Sequence, residues 1–251
     1  MVTSPTGSAW PKILPALTEE QLRIKDDFMT YWHEVLPKKY GLVEKFNHGY
    51  PVENSRVKGR VLEIGAGLGE HIAHEDLDGN EYYALELRPE MAGRIAERFP
   101  KVRVLVGDCQ KQLDFPDEFF DRVVAVHVLE HLPDLPAAVR EVCRLLNPGK
   151  EFCVVIPCEG GLAYWLARRI SAQRIFEKRY RTSYDWFIRT EHINTPAEIM
   201  DELRPHFSVA AEAYFPLRIR SVTLNLAIGM VLKPRKTRPP QTTTAHPCSR
   251  R

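Results

Sequence analysis

No stretch of this sequence approaches the ~20 consecutive apolar residues that a bilayer crossing needs, so no membrane-spanning helix is expected. The opening residues, MVTSPTGSAWPKILPAL, lack the basic patch and apolar block of a secretory signal. Cysteine is sparse and unpaired: Cys109, Cys143, Cys153, Cys158 and Cys248 are odd in number and show no CxxC spacing. That pattern speaks against a disulfide framework and against a cysteine metal knuckle. No metal site is expected, and a reducing cytoplasm is the expected compartment. An excess of one charge is lacking too, since the formal net charge is +2. Six basic residues and no acidic one lie from Lys233 onward, which leaves 29 basic against 33 acidic residues, or −4, for the rest. Nucleic-acid enzymes favour a basic body, so nucleic acid is not an expected partner. The tail of residues 233–251, rich in Pro, Thr and Arg, cannot bury apolar surface and is read as disordered.

What is present is enough for one sizeable core: 251 residues, 44% of them hydrophobic. Residues 1–17, with three prolines, are expected to be unstructured. A helix is predicted from Leu17 to Leu36, opened by a Thr18/Gln21 capping box and ended by Pro37. The following stretch to Gly59 is loop-like, and residues 18–58 together are read as a lid. An alternation of short apolar runs and helical patterns then begins. Strands are predicted at 60–64, 81–87, 102–108, 121–128 and 151–157, with helices after the glycine turn, at Pro89–Phe99 and at Leu135–Leu146. Repeated β–α units imply a parallel sheet covered on both faces. One helical stretch from Gly161 to about Arg181, a capping box at Thr195 and two further strands at 207–217 and 222–232 follow. A connection of only a few residues forces these two strands antiparallel. The expected fold is α/β: a Rossmann-like, seven-stranded, mostly parallel sheet over residues 59–232, with a terminal antiparallel hairpin and a lid insertion at about 160–195.

The sharpest signal is VLEIGAGLGE, residues 61–70. Gly65, Ala66 and Gly67 follow a strand, and glycine there lets the backbone turn sharply and approach a ligand. A helix N-terminus behind the turn would offer free amides to a carboxylate or a phosphate. Three carboxylates narrow the ligand. Glu63 lies in the first strand, Glu86 ends the second beside Leu87, and Asp108 ends the third beside Cys109. All face the carboxyl edge of the sheet, where open α/β folds bind ligands. Glu86 can accept from a ribose diol and Asp108 from an adenine amino group. Acidic surroundings favour a sulfonium and disfavour a pyrophosphate. VLEIGAGLGE, ALELRPE, VGDCQ and AVHVLEHLPD resemble motifs I to IV of the class I S-adenosylmethionine-dependent methyltransferases, closest to the small-molecule group called type 11. The resemblance covers about Arg60 to Cys158 strongly and the terminal hairpin weakly. It implies S-adenosyl-L-methionine as cofactor, with Glu63 and the glycine loop on the methionine moiety, Glu86 on the ribose and Asp108 on the adenine. His127 is expected to line that pocket. The rival is a dinucleotide dehydrogenase, whose GxGxxG differs from the GxGxG here.

Candidates for handling an acceptor's proton follow the fourth and fifth strands. The resemblance implies His131 as base with Glu159 as its partner, and His192 is the second candidate. Cys158 after Pro157 is expected to be a small buried residue and not a nucleophile. The segment 162–186 combines six basic residues with an apolar stripe at Leu162, Trp165, Leu166, Ile170, Ile175 and Phe176. It is read as an amphipathic lid helix with a solvated basic face, and residues 166–181 are a candidate contact for an anionic acceptor or membrane surface. The expected reaction is methyl transfer, at oxygen, to a small-molecule or saccharide acceptor. The alternatives are a lipid-linked or quinone-type acceptor at the membrane face and a cofactor-binding protein without catalysis.

Overall fold

The computed structural model describes the backbone at residues 2–3 and 9–235 and the side chains at residues 9–31 and 40–235. Strands β1 (Val2–Thr3) and β2 (Ala9–Trp10) form a small antiparallel ribbon. Helices α1 (Glu19–Lys39) and α2 (Gly41–Asn54) precede the α/β unit. That unit comprises β3 (Gly59–Ile64), β4 (Asn80–Glu86), α3 (Pro89–Arg98), β5 (Arg103–Val106), β6 (Phe120–Val126), α4 (Leu135–Leu145) and β7 (Leu146–Pro157). Helices α5 (Leu162–Ile170), α6 (Ala172–Tyr180), α7 (Asp185–Glu191) and α8 (Pro196–Leu203) lead to β8 (Phe207–Phe215) and β9 (Ala227–Pro234).

Seven strands make one sheet in the order β5-β4-β3-β6-β7-β9-β8. The first five are mutually parallel, and β9 runs antiparallel between β7 and β8. The expected Rossmann-like sheet with its terminal hairpin is therefore the fold. From β3 the chain builds outward to β4 and β5 on one side and returns to β6 on the other. The switch point, and the crevice that goes with it, lies at the carboxyl end of β3. The central strands are apolar on both faces because both are covered. Leu62, Ile64 and Val123 pack with Leu135, Val139 and Ile199 on one side. Val61, Tyr82 and Val124 pack with Tyr50, Ile72 and Ile95 on the other. A third, aromatic core joins α1 to the segment inserted after β7. Phe28 meets Phe176 and Phe187 edge-on, with ring centroids 5.0 and 5.2 Å apart.

Several expectations are corrected. The predicted loop before β3 is instead α2. Its Gly41, Gly49 and Pro51 suggest a loop, but Tyr50 is seated on β9, where a Cβ at Gly229 would lie 2.5 Å from the ring. Packing overrides propensity there. Pro37 does not end α1, which continues to Lys39. The long lid helix is broken at Ser171, whose backbone leaves the helical region and whose hydroxyl donates to the Ala167 carbonyl. Residues 9–17 are not free: Trp10 is buried in the main core, and Lys12 Nζ donates to the Ile193 carbonyl and to Glu198, each at 2.7 Å. The link between β8 and β9 spans residues 216–226, longer than expected. Lys233 and Pro234 belong to β9, and Arg235 donates to the carbonyls of Arg204 and Phe207. The rest of the predicted disordered tail lies outside the described residues. No helix among the described residues is long and apolar enough to cross a membrane.

Candidate functional site

A cavity of about 820 Å³ opens at the carboxyl ends of β3, β4 and β6, and residues of α1, α2, α5, α6 and α7 complete its wall. The glycine turn forms its floor. Gly65 has φ +67° and Gly67 φ +59°, a region open to glycine at little cost. The amides of Gly65 and Ala66 donate to the Leu85 carbonyl at 2.8 and 3.1 Å. That ties the turn to the end of β4. A Cβ on Gly65 would approach Val128 Cγ2 to 2.5 Å.

No α-helix follows this turn, contrary to expectation. The chain makes only a short 3-10 turn at Ile72–His74. The Gly67 amide already donates to Glu86 at 2.9 Å, and the Leu68 amide donates to Glu70 at 2.9 Å. The array of free amides that holds a pyrophosphate is therefore not built here.

The three carboxylates do converge. Glu86 is buried and also accepts from the Arg88 amide at 3.1 Å, and Leu87 beside it stands exposed at the rim. Asp108 accepts from the Gln110 amide and side chain at 3.0 Å each, while its neighbour Cys109 is buried and its thiol is pushed up to about 12 by that burial. Glu63 is buried at the end of β3 and accepts from the Tyr82 hydroxyl at 2.9 Å. Burial pushes its carboxyl well above the usual range, and the Tyr82 bond opposes the shift. Glu63, Gly65, Ala66, Gly67, Glu86, Leu87, Asp108, Cys109 and His127 all line one cavity. A glycine floor, carboxylates at the strand ends and no helix terminus fit a ribose diol and a sulfonium better than a dinucleotide.

The opposite wall carries the histidines. His131 ends the short turn Leu129–His131, and its Nδ1 lies 2.6 Å from the Glu191 carbonyl. Burial pulls His131 below its usual value, with Glu130 opposing. His192 directly follows α7, and the two rings are 5.0 Å apart, edge to face. Glu159 is not the partner of His131: it accepts from His192 Nδ1 at 2.9 Å and pairs with Arg168. Burial would raise Glu159, but the bond and charge of His192 and the Arg168 guanidinium outweigh it and lower it. His192 and His131 line the cavity, whereas Glu159 stands behind His192 as its support.

In the sequence Arg168 stands only as one of six basic residues of the lid segment, and Glu130 only as one of the candidates after the fourth strand, beside His127 and His131. Arg168, expected on a solvated basic face, faces the cavity. Glu130 is fully buried in the wall and bonds His127 Nδ1 at 3.0 Å. Burial would raise its carboxyl, but the bond from His127 and the neighbouring imidazoles hold it at about 2. The spacing His127-x-x-Glu130-His131 was the available signal. Cys158 is buried with its thiol pushed up to about 12 by burial, which suits packing and not nucleophilic attack.

The apolar stripe of the lid divides in two. Phe176 is buried and Ile175 packs beside the aromatic core, but Leu162, Trp165, Leu166 and Ile170 are 61%, 41%, 52% and 68% exposed. Arg179 is taken up by Asp27 of α1 at 3.0 Å, while Arg169, Arg174, Lys178 and Arg181 remain exposed. The expectation of a buried stripe with a solvated basic face holds for α6 only.

Comparison with known proteins agrees with this geometry. A family model described as a methyltransferase domain matches residues 62–154. Over 107 residues the chain is 36% identical to a sterol 24-C-methyltransferase of Aspergillus fumigatus, covering 38% of this chain and 27% of that protein. Over 190 residues it is 23% identical to a chloroplastic 2-methyl-6-phytyl-1,4-hydroquinone methyltransferase of Arabidopsis thaliana, covering 74% of this chain and 55% of that protein. The matches thus span well under two thirds of these relatives' own lengths. Among solved structures, the PH0226 protein of Pyrococcus horikoshii OT3 superposes with a TM-score of 0.61 at 17% identity, over 82% of this chain and 99% of that one. This last likeness speaks for the fold.

Proposed function

We propose that the chain is a class I S-adenosylmethionine-dependent methyltransferase, supported by the methyltransferase-domain match over residues 62–154, and that it transfers a methyl group from this cofactor to a small-molecule acceptor. The observation that carries the proposal is a single cavity with the glycine turn and carboxylates on one wall and His131 and His192 on the other. When bound, S-adenosylmethionine supplies a methyl group already activated by its sulfonium. The protein's own task is to align the acceptor and to handle its proton. In this reading Glu86 accepts from the ribose hydroxyls, Asp108 from the adenine amino group, and Glu63 with the glycine turn holds the methionine end, which is supported by their lining one cavity. Glu159 positions His192, and the Glu191 carbonyl positions His131, so both rings keep Nε2 for the acceptor side. Transfer to oxygen is the reading these two imidazoles support.

For the acceptor, we favour a lipid-linked or quinone-type molecule over a saccharide. The exposed stripe of α5 is the reason. Ile170 lies at the cavity wall, and the loop 216–226 next to α5 adds exposed Leu217, Ile219 and Leu224. The Ala163 amide donates to the Thr223 carbonyl at 2.9 Å, which joins helix and loop in one apolar, arginine-bearing surface beside the mouth. Exposed apolar patches of this kind mark contact surfaces, and the relatives named above are methyltransferases of a sterol and of a hydroquinone. Such a surface suits a protein that meets the membrane peripherally from the cytoplasmic side. The test is a coupled assay for S-adenosylhomocysteine release across hydroquinones, sterols, phenols and sugar nucleotides. Release with apolar ring acceptors is expected. Release with sugar nucleotides alone would overturn the acceptor, and cofactor binding without transfer to any acceptor would favour the non-catalytic alternative.

A further inference from the structure

The histidine wall holds more order than a single base requires. In both rings Nδ1 is occupied, in His131 by the Glu191 main-chain carbonyl at 2.6 Å and in His192 by the Glu159 carboxylate at 2.9 Å. A carbonyl oxygen can only accept, so His131 carries its proton on Nδ1. The same assignment follows for His192 facing a carboxylate. In its neutral form each ring then carries its lone pair on Nε2. Supporting one ring nitrogen by a carbonyl or carboxylate is how proteins orient an imidazole as a metal ligand.

Beside these rings lies Glu130, with no exposed surface. Its Oε1 is 3.0 Å from His127 Nδ1 and 3.9 Å from His131 Nε2, while its Oε2 is buried without any hydrogen-bond partner. A buried carboxylate oxygen with no donor is costly unless something fills the role. One ligand atom each from Glu130, His131 and His192 lies within 4.8 Å of the others. Ligands at about 2.0–2.2 Å from a shared ion sit roughly 3–3.6 Å apart, so the three atoms need to draw in by about an ångström.

The geometry points to a divalent-cation site formed by Glu130, His131 and His192, with its remaining positions open to the cavity. Two imidazoles and one carboxylate suit a borderline ion such as Zn²⁺, Co²⁺ or Mn²⁺, whereas Mg²⁺ and Ca²⁺ favour oxygen ligands. The sequence conceals the site because its ligands are not cysteines and lie on separate elements, around 130 and at 192. Its signature is Glu130-His131 followed by a lone histidine at 192 on another element. Binding of the ion stands on this geometry alone. Only its use in turnover, to anchor an acceptor oxygen and acidify its hydroxyl, rests on the methyltransferase reading.

The test is metal binding by the full chain, stripped with chelator and dialysed against Zn²⁺, Co²⁺ or Mn²⁺, with metal content by mass spectrometry and Co²⁺ absorption bands as a coordination probe. One equivalent per chain is expected, with a Co²⁺ spectrum showing nitrogen ligation. His192→Ala and Glu130→Gln should each abolish the spectrum. Glu159→Gln, which removes only the support of His192, should weaken binding about 10–100-fold, the usual cost of losing such a partner. His206→Ala, outside the site, should change nothing. Should Glu130→Gln fail to fold because Glu130 is buried, His192→Ala and Glu159→Gln still decide the matter. Sub-stoichiometric uptake by the wild type, or binding that survives His192→Ala, overturns the site. S-adenosylhomocysteine binding is measured on the same samples. Cofactor binding without metal binding refutes the site alone, and metal binding without cofactor binding refutes the proposed function alone.

Discussion

Replacing Gly65 by Ala strikes the turn on which the cavity floor depends, and the structure separates the cost into two parts. The first is conformational. Gly65 sits at φ +67°, and an L-residue in the left-handed region costs about 1–2 kcal/mol. The second is steric, because the new Cβ would lie 2.5 Å from Val128 Cγ2. Overpacking of this kind costs typically about 1–3 kcal/mol. Together they predict a loss of about 2–5 kcal/mol, a large share of the about 5–15 kcal/mol that holds a typical protein folded. Urea denaturation of wild type, Gly65→Ala, Val128→Ala and the double variant measures the two parts. Val128→Ala removes the clash but not the backbone strain, so the double variant should be about 1–3 kcal/mol more stable than additivity predicts. Cofactor affinity should not recover fully with it, since the backbone strain at position 65 remains in the turn. Strict additivity, or a Gly65→Ala protein as stable as wild type, would refute the reasoning.

Three further outcomes follow from named contacts. Glu63 has a raised pKa, so protonation stabilises the folded state below the ordinary carboxyl range, and that contribution is lost as pH rises toward the folded pKa. Glu63→Gln, which can still accept from Tyr82, should therefore raise the melting temperature increasingly between pH 5 and 8 by roughly a few degrees; an equal shift at both pH values would contradict the burial argument. Glu159→Gln should cut kcat about 10–100-fold while leaving the cofactor KM unchanged, because it acts through His192; steady-state kinetics with saturating cofactor reads this, and a loss confined to the cofactor KM would refute it. Changing Leu162, Trp165 and Leu166 together to Ser should reduce co-sedimentation with anionic liposomes while leaving S-adenosylhomocysteine binding intact, since these side chains are exposed and do not line the cavity; equal recovery of both proteins in the supernatant would remove the membrane-facing reading.

The sheet was legible because its strands are continuous apolar runs ended by charged or glycine residues, a pattern that survives without tertiary context. Glu63, Glu86 and Asp108 could be placed at one edge for the same reason, since parallel strands put their carboxyl ends together. The α2 helix was not legible: Gly49 and Pro51 argue for a loop, and the packing of Tyr50 against Gly229 and of Phe46 on Phe215 favours the helix. Nor was the absence of a helix behind the glycine turn, because Gly65, Gly67 and Gly69 suit either outcome. Pairing Glu159 with His131 failed on a long-range fact. His192 arrives from another element, 33 residues on, and takes the carboxylate first. The exposed stripe of α5 was hidden by the break at Ser171, which turns α5 and α6 onto different neighbours.

The most direct test of the account is calorimetric titration of the purified chain with S-adenosylmethionine, S-adenosylhomocysteine and NADH. One site of micromolar order is expected for each of the first two and none for NADH. Glu86→Ala should weaken both by roughly 1.5–3 kcal/mol, the value of a hydrogen bond to a charged group. Tight NADH binding with no S-adenosylhomocysteine binding would contradict it.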